Sequence, residues 1–447
     1  MIFSYKNFSA IAIDFGSEWV KIVIGDYSPQ QNTLVIRTHG TAPSSSCVSK
    51  GLILDVPDAT DCLGKALSNA GLNGSSNKNF PQTVIIGFEH PECETAFEEV
   101  HKEFKSSEEI NESHIKQLKQ NVHSNIRDKY LKKSLHTEVA TYEWYCDGER
   151  VYSPLGMRVK KISLKAYLIT VKQLLTNNHS ICVTQIPPFD NQKIIFHSYT
   201  PIASIFTTLS ASERALGSLI IDFGKDITSL VLVKNESILF SRTIDLGIKN
   251  IIPSVTYGFD TKLEDSKKLV FTYGISDEIL NKINLVLNGD PQNISNYDFS
   301  KIPSLLPNSS NPVLLQNGRI VQKTDIEFVI TVLLFELFHK LCFKYIHNKN
   351  LVSEFNYVYL IGGGSLIPNL TKLVETLFSI LKIPKIVKIG YPLGIQNLPS
   401  DLNSPLFTPV LGLLKYSYLS YIQSGKNRSP LSFVRKLFPS FIQNMLF

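Results

Sequence analysis

Residues 10–26, AIAIDFGSEWVKIVIGD, decide the fold because their pattern occurs a second time in the chain. Two runs rich in isoleucine and valine flank a Phe-Gly-Ser turn, which is typical of a β-hairpin, and Asp14 ends the first run. Residues 218–234, SLIIDFGKDITSLVLVK, repeat the order of strand, Asp-Phe-Gly turn and strand. The sequence therefore predicts an internal repeat of one supersecondary unit.

Two such hairpins facing each other can hold a nucleotide triphosphate. Backbone N–H groups in each turn can meet phosphate oxygens, and each aspartate can point at a metal ion or at the attacking water. Glycine is needed where the backbone approaches a phosphate closely. A single D-x-G after a strand is more often a plain tight turn, whereas the ordered pair favours a nucleotide site. The predicted clamps are Asp14, Gly16 and Ser17, with Lys21 as countercharge, and Asp222, Gly224 and Thr228.

A third motif lies in residues 356–370, NYVYLIGGGSLIPNL. It predicts a buried strand, a triple-glycine turn and the start of a helix. Gly362, Gly363 and Gly364 would let the chain pass close to a flat base, and the helix N-terminus would point at an anion. A triple-glycine turn is weak evidence alone, but it supports a nucleotide site when it follows the two hairpins.

The order of these motifs resembles the actin/Hsp70/sugar-kinase superfamily and, within it, the FtsA family of bacterial cell division proteins. Residues 49–70, 152–170 and 409–416 are also similar to FtsA sequences. The resemblance implies an α/β, actin-like ATPase fold, with two RNase H-like domains around a nucleotide cleft and an inserted α+β 1C subdomain of SHS2 type. It also implies ATP and Mg²⁺, with Asp14 and Asp222 as the catalytic carboxylates that face metal or water, and with Mg²⁺ at Asp14 directly or through water.

The resemblance also predicts how the chain is divided. The insert is the most specific part, because FtsA carries 1C at this position whereas actin and MreB carry a 1B subdomain elsewhere. Within the insert we expect strands at 83–87, 139–147 and 161–170 and a charged helix near 107–127. Other helices are expected at 58–70 and 324–346. The predicted divisions are 1A at 1–81, 166–203 and 383–424, 1C at 82–165, 2A at 204–246 and 324–382, 2B at 247–323, a linker at 425–430 and a terminal helix at 431–447.

The second hairpin turn departs from the family pattern D-x-G-G-G-T-T. Lys225, Asp226 and Ile227 stand where that pattern has two glycines and a threonine. Their side chains would crowd a phosphate, although Lys225 is also a candidate phosphate ligand. Near the nucleoside the family has Glu and Lys where this chain has Lys267 and Val270. These differences predict at most a slow ATPase, in which nucleotide acts mainly as a conformational and polymerisation ligand.

The terminal segment 431–447, LSFVRKLFPSFIQNMLF, predicts an amphipathic helix after a polar linker. Its apolar residues recur at three- and four-residue spacing, so the helix can lie in a membrane interface. The alternative is a terminal helix docked on the core. Pro439 removes a backbone donor and should kink or restart the helix. The predicted membrane-binding residues are Phe433, Val434, Arg435, Lys436, Leu437, Phe438, Phe441, Ile442 and Met445.

Composition and charge narrow the function further. A formal net charge of +6, from 45 Lys plus Arg against 39 Asp plus Glu, is too small for 447 residues to indicate nucleic-acid binding. The six cysteines stand singly, with no C-x-x-C pair, which favours a reducing cytosolic compartment. The first residues carry no pattern of a secretory signal, and the apolar run at 328–343 is shorter than the roughly 20 residues that span a bilayer.

The FtsA resemblance implies a membrane tether on the cytoplasmic face of the plasma membrane, at the division site. Such a tether binds the C-terminal peptide of FtsZ, self-associates into filaments and recruits later division proteins. An alternative is a PilM-like platform protein of a pilus or secretion system, for which no terminal amphipathic anchor is expected. A third reading is a small-molecule kinase, which needs a carboxylate base in the cleft, and Asp14 is the candidate for that role.

Overall fold

The computed structural model describes residues 9–28, 33–44, 46–72, 80–81, 83–187, 189, 194–287, 311–347 and 350–423. The predicted linker at 425–430 and the predicted membrane helix at 431–447 lie outside these residues. The membrane-binding residues therefore stay a prediction.

The regular elements fall into successive stretches of the chain. Residues 9–88 form β1 (Ser9–Phe15), β2 (Trp19–Ser28), β3 (Thr33–Pro43), β4 (Val48–Ser49), β5 (Leu52–Ile53), α1 (Val56–Asn69) and β6 (Thr83–Phe88). Residues 94–216 form β7 (Glu94–Glu109), α2 (Glu112–Lys129), β8 (Leu135–Cys146), β9 (Glu149–Val151), β10 (Arg158–Lys172), α3 (Gln173–Thr184), β11 (Ile194–Tyr199), α4 (Thr200–Thr208) and α5 (Ala211–Leu216).

The later stretches complete the fold. Residues 218–287 form β12 (Ser218–Phe223), β13 (Thr228–Lys234), β14 (Ser237–Ile244), α6 (Ile252–Phe259), α7 (Leu263–Tyr273) and α8 (Asp277–Leu287). Residues 312–423 form β15 (Pro312–Leu314), β16 (Ile320–Gln322), α9 (Lys323–Tyr345), β17 (Tyr357–Ile361), α10 (Leu370–Ile380), β18 (Ile386–Ile389) and α11 (Thr408–Gln423).

The first half of the molecule is built on a mixed sheet with the strand order β11-β6-β1-β2-β3. The predicted hairpin is confirmed, because β1 and β2 pair antiparallel with Asp14 opposite Lys21. On its other side β1 pairs in parallel with β6, where Ile13 lies opposite Ile86. Strand β6 thus belongs to this sheet, although the predicted boundary of the insert at residue 82 precedes it. Its fully buried sequence TVIIGF suits a central parallel strand.

Helices cover both faces of this sheet because β1 is apolar on both. Ile11 and Ile13 lie in a core with Leu63 of α1, while Ala10 and Ala12 lie in a core with α11. Successive side chains of a strand point to opposite faces, so each helical layer receives alternate residues of β1. The helix predicted at 58–70 is confirmed as α1, in which Asp55 caps the N-terminus through the N–H of Asp58.

The insert forms a separate antiparallel sheet with the order β7-β10-β8-β9, and α2 packs on it. The strands predicted at 139–147 and 161–170 are confirmed as parts of β8 and β10. The helix predicted near 107–127 begins only at Glu112, where the Asn111 side chain caps it. Residues 107–109 instead belong to β7, in which Glu109 pairs with Arg158 of β10. Strand β7 escaped prediction because most of its residues are exposed at the sheet edge and charged residues interrupt its apolar pattern.

The second half repeats the architecture of the first, with the strand order β14-β13-β12-β17-β18. The second predicted hairpin is confirmed, because β12 and β13 pair with Asp222 opposite Ser229. Strand β17 runs parallel to β12, as β6 does to β1, and Ile361 lies opposite Asp222. One face of β12 packs on α9, through Leu219 and Ile221. The helix predicted at 324–346 is confirmed as α9, with Phe335 and Phe338 fully buried.

Helices α4 and α11 lie between the two sheets. Ile202 and Ile205 of α4 share a core with Ile220 of β12, whereas α11 packs on β1 and β2. The two helices contact each other, and the hydroxyl of Thr207 donates to the carbonyl of Thr408 at 3.0 Å. Among the described helices none is long and apolar enough to cross a membrane.

Candidate functional site

The two hairpin turns have matching local geometry. The N–H of Gly16 donates to the carbonyl of Trp19 at 3.1 Å, and the N–H of Gly224 donates to the carbonyl of Ile227 at 3.0 Å. A Cβ atom on Gly16 would lie 2.9 Å from the first carbonyl oxygen, and one on Gly224 would lie 2.8 Å from the second. Both turns therefore require glycine, and the internal repeat is confirmed as a repeat of structure.

The carboxyl ends of β1, β6, β12 and β17 border a shared cavity of about 570 Å³. A crevice beyond the carboxyl ends of parallel strands is where open α/β sheets commonly bind ligands. The predicted residues that line it are Asp14, Gly16, Ser17, Lys21, Asp222, Gly224, Lys225, Gly362 and Gly363. The three predicted motifs thus meet at one place.

Two predicted residues do not line this cavity. The Thr228 side chain is buried, and its hydroxyl donates to the carbonyl of Leu246 at 2.6 Å. Gly364 is covered by the Phe223 ring, because a Cβ atom at this glycine would lie 2.3 Å from a ring carbon.

Carboxyl groups crowd the deep end of the cavity around Lys21. The Lys21 Nζ atom lies 2.7 Å from Asp14 Oδ2, and the Lys21 residue is 7% exposed. Asp222 and Glu89 also line this end. Burial raises the pKa of Asp222 above its ordinary value, and the neighbouring Asp14 also raises it while Lys21 acts in the opposite direction. The deep end thus holds more potential negative charge than Lys21 alone can balance.

Glu89 is a site residue that the sequence analysis missed. It follows β6, the strand parallel to β1, and it accepts a hydrogen bond from the Ser229 hydroxyl of the other half. Burial raises the pKa of Glu89 well above its ordinary value, and the nearby Asp222 raises it further. The sequence signal that could have revealed Glu89 is its position directly after a buried strand. That signal alone does not place Glu89 beside Asp14, because this depends on the pairing of β6 with β1.

Near the mouth, Glu18 links the two hairpin turns. Its carboxylate lies 3.0 Å from Lys225 Nζ and forms a second ion pair with Lys267 of α7. Lys225 Nζ also donates to the carbonyl of Ser17 at 3.3 Å. Burial would raise the pKa of Glu18, but hydrogen bonds from Lys267 and Lys225 bring it below its ordinary value. Glu18 and its pairing with Lys267 were not anticipated from the sequence.

Asp226, the second residue of this turn that departs from the family pattern, also links the two halves of the molecule. Its carboxylate accepts hydrogen bonds from the Ser49 hydroxyl at 2.8 Å and from the Lys50 N–H at 3.1 Å. The residue is 6% exposed. Asp226 therefore uses its side chain to bind the first half, so its carboxylate is already engaged there.

The triple-glycine motif forms one wall of the cavity. Gly362 has φ +80°, and its N–H donates to the carbonyl of Pro405 at 3.0 Å. The buried strand of the prediction is confirmed as β17, but α10 begins only at Leu370, after a short 3-10 turn. The residues that line the cavity in this motif end at Leu366. The wall is therefore the glycine backbone rather than the end of a helix.

The side-chain oxygen atoms at the deep end of the cavity determine whether Mg²⁺ could bind there. Among the described residues no cluster of three or more His, Cys, Asp or Glu side chains is arranged to hold a metal ion unaided. Mg²⁺ commonly takes only one or two carboxylates and completes its shell with waters and substrate phosphates. Asp14 and Asp222 supply hard oxygen atoms of that kind, so these residues fit Mg²⁺ that arrives with a phosphate ligand.

Comparison with known proteins gives consistent relatives. The family model "Cell division protein FtsA" matches residues 219–412. The chain is 23% identical to "Cell division protein FtsA" of Buchnera aphidicola subsp. Schizaphis graminum, over 98% of this chain and 97% of the relative. It is 24% identical to the FtsA of Agrobacterium fabrum, over 94% and 89% of the two chains.

Among solved structures, a chain of the "PilM-PilN type IV pilus biogenesis complex" matches with a TM-score of 0.59 and 15% identity. The match covers 91% of this chain and 98% of the PilM-PilN chain. Together with the repeated sheets and the inserted sheet, this likeness confirms the predicted α/β, actin-like fold.

Proposed function

Because this chain is a relative of the FtsA cell division proteins, we propose that it binds ATP with Mg²⁺ in its cleft and tethers FtsZ to a membrane. The cavity shared by the two hairpin turns and Gly362 is the observation that carries the nucleotide part of the proposal. The tether is the function that the FtsA similarity favours.

The phosphate groups of the nucleotide would lie between the two hairpin turns. Gly16 and Gly224 both line the cavity and carry no side chain that could fill it. The glycine wall at Gly362 and Gly363 would receive the nucleoside, because the backbone there carries no side chain to fill the space. Backbone N–H groups and a flat glycine surface suit phosphates and a base respectively.

Asp14 and Asp222 would hold Mg²⁺ at the deep end of the cavity, directly or through water. A bound Mg²⁺ would supply positive charge that neutralises phosphate oxygens. Lys21 keeps the Asp14 carboxylate in place through the 2.7 Å ion pair. Because Asp14 is already paired with a buried lysine, we expect hydrolysis to be slow and the nucleotide to act mainly as a conformational ligand.

Calorimetric titration with ATP tests the cleft. The wild-type chain should bind ATP more tightly with Mg²⁺ than with EDTA, and Asp14→Asn should remove most of that difference. Asp26→Asn is the matched control, since Asp26 lies on β2 and pairs with Arg37 instead of facing the cavity. A wild-type chain that binds no ATP would refute the nucleotide part of the proposal.

The membrane part rests on the sequence of the terminal segment 431–447. We propose that it lies on the cytoplasmic face of the plasma membrane at the division site. Full-length chain should co-sediment with anionic vesicles, and a chain ending at residue 430 should not. Ser440→Ala is the control, because Ser440 is not one of the predicted membrane-binding residues of the segment. Equal sedimentation of the truncated chain would refute the anchor.

The partner part follows from the FtsA similarity. We propose that the chain binds the C-terminal peptide of FtsZ, self-associates into filaments and recruits later division proteins. Fluorescence anisotropy with a labelled FtsZ C-terminal peptide from the same organism tests the first of these. A scrambled peptide of the same composition is the control, and equal affinity for both peptides would refute FtsZ recognition.

A further inference from the structure

The Glu18 carboxylate occupies a place in the cavity where two lysines converge from the opposite half. Glu18 belongs to the turn between β1 and β2, while Lys225 belongs to the turn between β12 and β13 and Lys267 to α7. All three line the cavity. The ion pairs therefore run across the cleft, from one half of the molecule to the other.

The two lysines form an anion subsite by their arrangement. Both ammonium groups reach the same carboxylate, Lys225 at 3.0 Å and Lys267 in direct contact. A carboxylate and a phosphate oxygen present similar charge and acceptor geometry to ammonium donors. The Glu18 side chain is 32% exposed, so solvent and ligands in the cleft can reach it.

We propose that Lys225 and Lys267 bind a phosphate group of the nucleotide and that Glu18 occupies their subsite until the phosphate displaces it. The proposal rests on the nucleotide function proposed above. It adds that the Glu18 carboxylate, as a competitor, competes with the nucleotide phosphate for the two lysines. It gives a role to Lys225 in a turn where the family pattern has glycine. Without nucleotide, ion pairs from the two lysines to Glu18 would link the two halves of the molecule. With nucleotide bound, the lysines would instead pair with its phosphate group.

A carboxylate in the subsite should reduce the apparent affinity for phosphate-bearing ligands. Each nucleotide must break two half-exposed ion pairs before it gains the same cations, and such pairs contribute modestly. The affinity for a ligand is lowered by the fraction of protein that is not competent to bind it. Removal of the Glu18 charge should therefore raise ATP affinity by about two- to tenfold.

The experiment compares full-length wild-type chain with Glu18→Gln by calorimetric titration with Mg²⁺-ATP and with adenosine. Glu18→Gln should bind ATP about two- to tenfold more tightly and adenosine equally well. Glu264→Gln removes an acidic charge from the same cavity without removing a partner of either lysine, and it should change ATP affinity less. Lys267→Met in the Glu18→Gln background should abolish the gain.

The outcomes separate this proposal from the nucleotide function. Tighter ATP binding by Glu18→Gln than by the wild-type chain and by Glu264→Gln supports the competitor. Wild-type binding with no gain in Glu18→Gln overturns the competitor and leaves the nucleotide function intact. An equal gain for adenosine also overturns it, because the gain would not depend on phosphate. Absence of ATP binding in both proteins overturns both proposals.

Discussion

Gly362 passes so close to Asp222 that a Cβ atom on this glycine would lie 2.2 Å from the Asp222 Oδ1 atom. Its φ of +80° is also a conformation that other residues rarely adopt. The glycine wall and the acidic deep end of the cavity are therefore one unit, in which the backbone of one motif fixes the side chain of another.

We predict that Gly362→Ala displaces Asp222 and lowers the free energy of unfolding by about 1–3 kcal/mol. Mg²⁺-ATP affinity should fall as well, because Asp222 faces the site. Gly363→Ala is the matched control for stability, since a Cβ atom there would lie 3.5 Å from a Leu406 methyl group, an ordinary contact. Urea unfolding of both variants measures the loss of stability, and titration of Gly362→Ala with ATP measures the loss of affinity. Equal urea midpoints of the two variants would contradict the close contact with Asp222.

Lys21 leads to a second prediction, because it is buried among carboxyl groups. Lys21→Met should leave Asp14, Asp222 and Glu89 without their cation and cost about 3 kcal/mol at pH 8. The cost should be smaller at pH 5. Burial raises the pKa of Asp222 to about 7, so this carboxyl is protonated in the folded state at pH 5 and less charge is left unpaired. The pKa of Glu89 is raised by burial as well, which acts in the same direction. Urea unfolding at both pH values checks this.

Lys65→Met serves as the control for the Lys21 variant. Lys65 pairs with Asp61 at the surface of α1, so this change should leave the urea midpoint almost unaltered at both pH values. A Lys21→Met chain as stable as the control at pH 8 would show that the carboxyls do not depend on Lys21.

The sequence could predict the cleft because each hairpin is a local structure. Asp14 and Gly16 are two residues apart, and the repeat places Asp222 and Gly224 equivalently. Such motifs need only strand propensity and a turn. The parallel partners of the hairpins are set by long-range pairing, so a single sequence does not show that Glu89 comes beside Asp14.

The ion pairs across the cleft were beyond prediction for a related reason. Glu18 and Lys267 are far apart in the sequence, and only the packing of the two halves brings them together. Lys267 was noted merely as a departure from the family pattern. Strand β7 was missed for a local reason instead. Its exposed charged residues obscure the alternation of apolar and polar residues that normally indicates a strand.

Glu138 provides a third prediction. This fully buried carboxylate of the insert accepts hydrogen bonds from the Ser198 hydroxyl at 2.8 Å and from the Tyr199 N–H at 2.5 Å, where α4 begins. Burial raises the pKa of Glu138 to about 7 from 4.5. The folded state therefore holds a proton that the unfolded state has lost, and this stabilisation is present below pH 4.5 and disappears as the pH rises through 7.

Glu138→Gln should remove that pH dependence. Relative to the variant, the wild-type chain should lose about 3 kcal/mol of unfolding free energy between pH 4.5 and pH 7.5, since one pKa unit corresponds to about 1.4 kcal/mol. Glu143→Gln is the control on the same strand, because that side chain is only partly buried. Parallel stability curves for the wild type and Glu138→Gln would contradict the raised pKa.

His136, also on β8, should act in the opposite direction. The ring packs edge-on against Phe88, and its buried Nε2 atom has no hydrogen-bond partner among the residues that the structure describes. Burial lowers the pKa of His136 to about 4 from 6.5. The unfolded state therefore gains a proton first on acidification, and the stability that the neutral ring contributes above pH 6.5 is lost as the pH falls toward 4.

We predict that His136→Leu makes the chain more resistant to acid. Between pH 6.5 and pH 4 the wild type should lose about 3 kcal/mol more unfolding free energy than the variant, because leucine takes up no proton. At pH 7 the variant should be nearly as stable, since it removes a polar atom that has no partner among the described residues. Urea unfolding across this range is the measurement, with His101→Leu at an exposed position of β7 as the control. If His136→Leu and His101→Leu lose stability equally on acidification, the buried imidazole is not the acid-sensitive group.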